Sequence, residues 1–538
     1  MNPPSSTHSV TGSQWETVLQ AVIPSPRPYL DIAVTVTYTH LDTGDTHSAP
    51  AAWDDENRWI LRNAFPRHGL WSWRTTASNS ADTGLHNRTG TVSVSPYTGS
   101  NPLFRHGFIQ SSADGRYLAH ADGTPFLWIG DTVWRATNAA TPAQWSAYVK
   151  NREALGYSVI QIAPICAWDN TSHANLEGEL PFHDQDYSRL NPDYWRHLDR
   201  LIAEANEHGL VVMLTGLPGW QINLDTPEQT PNRQAFVRQL VGRFHGRHVI
   251  YSPSADQYHN NSHRVLGREL RAVTSRQPIT QHPGTHGDPA RPHVPICSDY
   301  YYGDDYLSFV MYQSGHNEGD VNKVADQARL WALSLYQRPA ARRLPVINGE
   351  AYYEGDPRIT ERPLPYTGTA AHVRLCAYYS VLSGSTSGFT NGILGLWDWN
   401  FPRFRNAVPF ERAMGKPSAT HLGHLGSLLR RMPWWTLVPS PDCVHGQPSE
   451  RPRQIVFARN PAGTAGIAYL PDNASVTIDL TGMTGPLATT WFNPVSAATT
   501  AYSEIPAPFG LHTFTPPASQ PGQPDWVLIL STQDNRGL

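Results

Sequence analysis

Between residues 126 and 399 short apolar runs alternate eight times with amphipathic stretches that carry helix start and stop signals. This alternation constrains the fold more than any other feature of the chain. The runs are 126–131, 158–164, 210–216, 248–256, 278–283, 307–316, 344–350 and 387–399. Marker residues at their ends (Asp131, Trp168, Gly216, Asp256, His282, Gln313, Glu350, Trp397) are 37, 48, 40, 26, 31, 37 and 47 residues apart. Such spacing fits a βα repeat of about 30 or more residues, and eight repeats over about 300 residues predict an α/β chain with a (β/α)8 TIM barrel. An open doubly wound sheet would place a glycine-rich phosphate loop after its first strand, and Gly130-Asp131-Thr132-Val133-Trp134 is not one. Helix starts are explicit. Thr141-Pro142-Ala143-Gln144 offers an N-cap, a first-turn proline and a capping-box glutamine, and Asn191-Pro192 opens a second helix that Gly209 stops.

A chain of 538 residues exceeds one ordinary core, and the flanks read differently from the centre. Period-two alternation, as in Asp31–Tyr38 and Thr91–Val94, predicts an N-terminal antiparallel β-sandwich. Ile455–Ala458, Gly466–Leu470, Ser475–Leu480 and Val527–Leu530 predict a second sandwich after the barrel. The expected domains are 1–100, 101–433 and 434–538. A net charge of −4 argues against nucleic-acid or anionic-membrane partners. The four dispersed cysteines form no CxxC and read as reduced, packed thiols. No signal-peptide pattern opens the sequence and no apolar run reaches the ~18 residues of a membrane span, so a cytoplasmic location is expected, or a secreted one had a leader been removed. The sequence leaves the oligomeric state open.

In a barrel, function belongs where the strands end. Carboxylates stand there on the first, fourth and seventh predicted strands, at Asp131, Asp256 and Glu350. Strands four and seven lie nearly opposite each other, and two carboxylates across a sugar-sized gap are what cleavage of a glycosidic bond requires. Asp256 and Glu350 are therefore the candidate catalytic pair. For Asp131 a substrate contact and a structural role, such as capping a helix, stand equal. Aromatic rings at strand ends can stack on a sugar face, namely Trp134, Trp168, Trp220, Tyr312, Tyr353, Trp397 and Trp399. Gln161, Asp169, Gln257, His282, His286, Gln313 and His316 supply polar groups for hydroxyls. Only Lys150, Lys323 and Lys416 are lysines and none ends a predicted strand, which disfavours Schiff-base chemistry. Neither His-x-His nor His-Glu-x-x-His occurs, so no metal or other cofactor is expected. Two rival readings stand beside hydrolysis. One is a non-catalytic carbohydrate-binding protein on a degenerate barrel. The other is a polysaccharide lyase, for which Arg135 and Arg403 would be the neutralising cations.

Three segments carry a family resemblance. The opening strand Phe126-Leu127-Trp128-Ile129-Gly130-Asp131-Thr132-Val133-Trp134, after His120-Ala121-Asp122-Gly123-Thr124-Pro125, resembles that of the apiosidase-like glycoside hydrolases, family 140 and its relatives. Leu344-Pro345-Val346-Ile347-Asn348-Gly349-Glu350-Ala351-Tyr352-Tyr353-Glu354 is similar to the seventh-strand motif of that group, whose first glutamate is catalytic. The fourth strand ends Ser254-Ala255-Asp256, where relatives have Gly-Gly-Asp. The resemblance spans roughly residues 105–430, and the flanks resemble the N-terminal β-domain and the collagen-binding-type C-terminal domain that accompany such barrels. It implies a retaining, exo-acting glycoside hydrolase that releases a terminal furanosyl unit, apiosyl or arabinosyl, or a deoxy sugar. Asp256 would be the acid/base and Glu350 the nucleophile.

Overall fold

The computed structural model describes residues 7–166, 173–217, 226–256, 260–274, 276–285, 295–315, 321–339, 341, 343–355, 367–399, 408–450, 453–518 and 524–532. Its centre is a curled parallel sheet. The strands are β1 (Trp128–Thr132), β2 (Val159–Ile162), β3 (Val211–Thr215), β4 (Val249–Ser252), β5 (Val310–Gln313), β6 (Val346–Glu350) and β7 (Gly388–Ile393). They run in the order β4-β3-β2-β1-β7-β6-β5. Among the described residues seven long helices follow them in turn: α1 (Pro142–Ala154), α2 (Pro192–Glu207), α3 (Thr230–Phe244), α4 (Asn261–Val273), α5 (Val321–Tyr336), α6 (Ala370–Leu382) and α7 (Pro417–Arg430).

Strand alternation sorts the side chains into two cores. Trp128, Val159, Met213, Ile250, Phe309, Met311 and Ile347 line the concave face and pack on Leu103, Ile109, Leu118 and Phe126 beneath it. Their neighbours Ile129, Ile160, Val212, Tyr251 and Phe389 point outward into the larger core shared with the helices. The fifth predicted run forms only a single parallel bridge, Tyr251 to Ile279, instead of a full strand. Pro278 and Pro283 bracket it, and proline gives no N–H to a ladder. It still touches both ends of the sheet. Thr280 N–H donates to Tyr251 O at 3.0 Å, and Ile279 O accepts from Ser308 N at 2.7 Å, just before β5. The helix starts form as the sequence predicts. Thr141 and Gln144 close a reciprocal capping box at α1, and Asn191 accepts from Asp193 N at α2.

β-rich regions flank this unit. On the N-terminal side a five-stranded sheet faces a three-stranded one, over a core including Trp15, Val36, Tyr38 and Trp71. Its first strand, His8–Val10, pairs parallel to Thr89–Ser95, a departure from an all-antiparallel sandwich. On the C-terminal side a six-stranded and a three-stranded sheet enclose Trp491, Leu528 and their neighbours. Both regions are riveted to the helices by buried charge. Arg62 binds Asp199 at 2.7 Å, Arg243 binds Asp54 at 2.6 Å, and Arg374 grips both oxygens of Asp525 at 2.8 and 2.7 Å. No helix among the described residues is long and apolar enough to cross a membrane. All four cysteines are free thiols.

Candidate active site

Glu350 reaches the concave face because β6 carries an extra residue. Val346, Ile347 and Asn348 pair with Val310, Met311 and Tyr312, but the next partner of Gln313 is Glu350, so Gly349 is bulged out of the register. A one-residue bulge reverses the side to which the following side chain points. Without it Glu350 would face the helices, as Asn348 does in bonding Ser380 Oγ of α6 at 3.0 Å. Glycine leaves room there, since a Cβ at 349 would lie 2.3 Å from Met311 Sδ.

The Glu350 carboxyl is 3% exposed and has a defined polar surround. Gln313 Nε2 donates to Oε2 at 2.9 Å and the Tyr353 hydroxyl donates to Oε1. Nε2 of the fully buried His282 stands 3.5 Å from Oε2. Burial and then the neighbouring Asp256 charge push the Glu350 pKa well above the usual carboxylate range, against the pull of the Tyr353 bond. Tyr353 itself accepts from Trp134 Nε1 at 3.1 Å, and burial raises its own pKa, so the phenol remains a proton donor.

Asp256 lies four residues past β4 in the left-handed region, at φ 45°, a conformation aspartate tolerates better than most residues. Its backbone N–H is directed at His282 Nδ1, 3.5 Å away. One side of the residue is open to solvent. Protein crowds the carboxyl on the others and pushes its pKa up to about 6, while a hydrogen bond from Gln313 opposes the shift. His282 stands between the two acids, its Nδ1 facing Asp256 N and its Nε2 facing Glu350 Oε2. The Asp256 charge bears on Glu350, so the two carboxyls titrate as a pair in which each charge resists the other.

Trp134, Tyr353 and Trp397 cluster beside the pair, each buried, with the Trp134 ring edge-on to His282 at 5.3 Å and Tyr353 6.1 Å from Trp397. The structure therefore brings together Asp256, Glu350, His282, Gln313, Trp134, Tyr353 and Trp397 from the sequence reading. It separates four others. Asp131 is fully buried on the outer side of β1, where Oδ2 binds Arg152 Nε at 2.7 Å and accepts from Tyr148 OH at 2.8 Å. Its alternation with Thr132 sends it to α1, so it is a structural ion pair and not a substrate contact. Gln161 points inward but lies sealed beneath the site, its amide bonded to Gly349 O and Thr390 Oγ1 at 2.9 Å each. Tyr312 faces outward and donates to Ala328 O of α5 at 2.8 Å. Trp399 packs behind the sheet on Trp145, Tyr148 and Phe410. Trp168, Asp169, Trp220, Gln257, His286 and His316 lie outside the described residues. Sequence reasoning passed over Gly349 and Gly392. A Cβ at 392 would lie 1.8 Å from the Tyr353 ring. The repeated Asn-Gly of Asn348-Gly349 and Asn391-Gly392 was the available signal. No group of three His, Cys, Asp or Glu side chains among the described residues is arranged to hold a metal ion.

No curated protein sequence matches the chain. Among solved structures, one described as a glycoside hydrolase shares 23% identity, with a TM-score of 0.70 over 82% of this chain and 100% of that one. A glycoside hydrolase family 5 protein from Bacteroides vulgatus shares 21%, with a TM-score of 0.68 over 82% and 96%. These likenesses concern the fold. Residues 438–531 match the profile described as "Putative collagen-binding domain of a collagenase". Residues 112–436 match the profile "Apiosidase-like, catalytic domain", and since that match covers more than half of the 538 residues, the chain belongs to the apiosidase-like family and is a glycosidase.

Proposed function

We propose that this glycosidase works by double displacement with retention, is exo-acting, and releases a terminal furanosyl unit, apiosyl or arabinosyl, or a deoxy sugar. The observation that carries the reading is that the two acids meet at one site, with His282 Nδ1 3.5 Å from Asp256 N and His282 Nε2 3.5 Å from Glu350 Oε2. Retention calls for carboxyls ~5–5.5 Å apart and inversion for ~6.5–9.5 Å, so the stereochemistry of the product tests this step. Glu350 attacks the anomeric carbon and forms a glycosyl ester, while Asp256 passes its proton to the departing oxygen. Asp256, now a carboxylate, takes a proton from water, whose oxygen displaces Glu350 from the same carbon. A pKa near 6 suits a group that must both give and take a proton. The coupled pair holds one proton and the reaction runs from the form that carries it on Asp256; loss of the Glu350 charge in the ester then lowers the Asp256 pKa, so the acid of the first step becomes the base of the second. The Trp134–Tyr353–Trp397 cluster offers an apolar wall for the sugar ring.

The contacts of residues 279–280 with β4 and with the chain before β5 support closure of the sheet into a (β/α)8 barrel. The flanking cores support domains of 1–100, 101–433 and 434–538, with the central core continuing into Val456, Ile467 and Ile529 of the last. A panel of aryl apiosides, arabinofuranosides and deoxy-glycosides tests the substrate, and proton NMR of the first-formed sugar tests the mechanism. Initial release of the opposite anomer, or full activity in Glu350→Gln, overturns the reading.

A further inference from the structure

The residue that follows Tyr353 is a buried carboxylate with no part in the chemistry above. Glu354 is 5% exposed, and its Oε2 accepts a 2.7 Å hydrogen bond from Ser418 N. Ser418 lies in the first turn of α7, whose N-cap position is Lys416 with no side-chain cap of its own. Glu354 supplies that cap from a distant part of the chain, and the four unpaired N–H groups of a helix start make it a natural seat for a carboxylate. The tie is reinforced by backbone. Tyr353 and Glu354 pair in parallel with Gly392 and Ile393 at the end of β7, Leu394 N donates to Glu354 O at 2.9 Å, and Lys416 Nζ donates to Gly355 O at 3.5 Å.

Successive residues of an extended pair point to opposite sides. Glu354 is anchored in α7, while Tyr353 turns the other way, against the space that Gly392 leaves open, with its hydroxyl on Glu350 Oε1. Resting on the assignment of Glu350 as nucleophile, we infer that Glu354 is a positioning residue: its bond to the start of α7 holds the 353–354 strand on β7 and thereby keeps the Tyr353 hydroxyl on Glu350.

The test compares Glu354→Ala, Glu354→Gln, Tyr353→Phe and the Tyr353→Phe/Glu354→Ala double variant in the full chain. The readout is the titration midpoint of the Glu350 carboxyl carbon by NMR, assigned by its absence in Glu350→Gln. A hydrogen bond to a carboxylate favours the charged form, so both E354A and Y353F raise the midpoint, and the double variant raises it no further than Y353F alone. E354Q keeps an oxygen for Ser418 N–H and stays near the wild-type value. On a hydrolysed glycoside, E354A lowers kcat about tenfold with KM little changed. A folded E354A with an unshifted midpoint, or additive shifts in the double variant, overturns the inference. Should E354A not fold, Glu354→Asp, which shortens the reach and keeps the charge, takes its place under the same criteria. The midpoint is read without turnover, so a wild type inactive on every glycoside refutes the proposed function while this result still decides the role of Glu354.

Discussion

Two buried acids in this protein have opposite duties. Glu350 is held above its ordinary pKa by burial and by Asp256. The folded state therefore binds a proton there more tightly than the unfolded chain, and stability falls as pH rises from the unfolded pKa towards the raised folded one. Glu350→Gln removes that loss. At pH 7 the variant is expected to be more stable than wild type while inactive, with the gap closing below about pH 4. Denaturant titrations at the two pH values check it, and a variant less stable at pH 7 contradicts it. Asp131 belongs to the fold: Arg152 at 2.7 Å neutralises it where neither side chain meets solvent. Arg152→Met leaves that carboxyl alone and is expected to cost roughly 3–5 kcal/mol. The cost grows with pH, because an unpartnered buried aspartate must shed its proton as the solution becomes alkaline. Chemical denaturation at pH 5 and pH 8 reads both effects, and KM of the folded fraction should not move. The strand-end rule picked out Asp131 and Glu350 alike; only the side on which each emerges separates them, and that depends on a register the sequence does not print.

At the level of strands and helices, much was legible because it is local. A threonine, a proline and a glutamine in the right order make a capping box whatever surrounds them, and α1 begins where they stand. Seven of the eight apolar runs became strands of the sheet because each buries both faces. The bulge at Gly349 was not legible, since it depends on how β6 meets β5. It decides the site, because one residue fewer would turn Glu350 away from Asp256. Gly349→Ala is therefore a sharp probe. Its Cβ would meet Met311 Sδ at 2.3 Å and Cγ at 2.5 Å, so either the bulge or the methionine must move. The expected result is an overpacking cost of about 1–3 kcal/mol together with a fall in kcat larger than stability explains. Met311→Val, which removes the obstructing atoms, should restore part of the activity. Full activity in Gly349→Ala alone would show that the bulge does not set the orientation of Glu350.

Over the whole molecule, the predicted central alternation and flanking β-regions appear in the structure, while the ties between them could not be read from spacing. Arg374 and Asp525 are 151 residues apart, each at most 4% exposed, and meet through two hydrogen bonds. Tyr469 also donates to Asp525, and the rings of Tyr378 and Tyr469 stack at 4.5 Å. The same guanidinium reaches His421 of α7 at 3.0 Å, so the C-terminal β-region bears on the helix whose first turn Glu354 caps. If this seam is structural, its strength is that of a desolvated ion pair, and salt will not weaken it as it would a surface pair. Asp525→Ala strands the Arg374 charge among tyrosine rings and is expected to cost about 3–5 kcal/mol, with the same loss at low and high ionic strength. Calorimetry should show the wild type melting in one transition and the variant in two, the C-terminal region leaving first. Two transitions in the wild type would mean that the seam does not couple the parts. One transition with no loss in the variant would mean that the stacked tyrosines, and not the ion pair, hold them together.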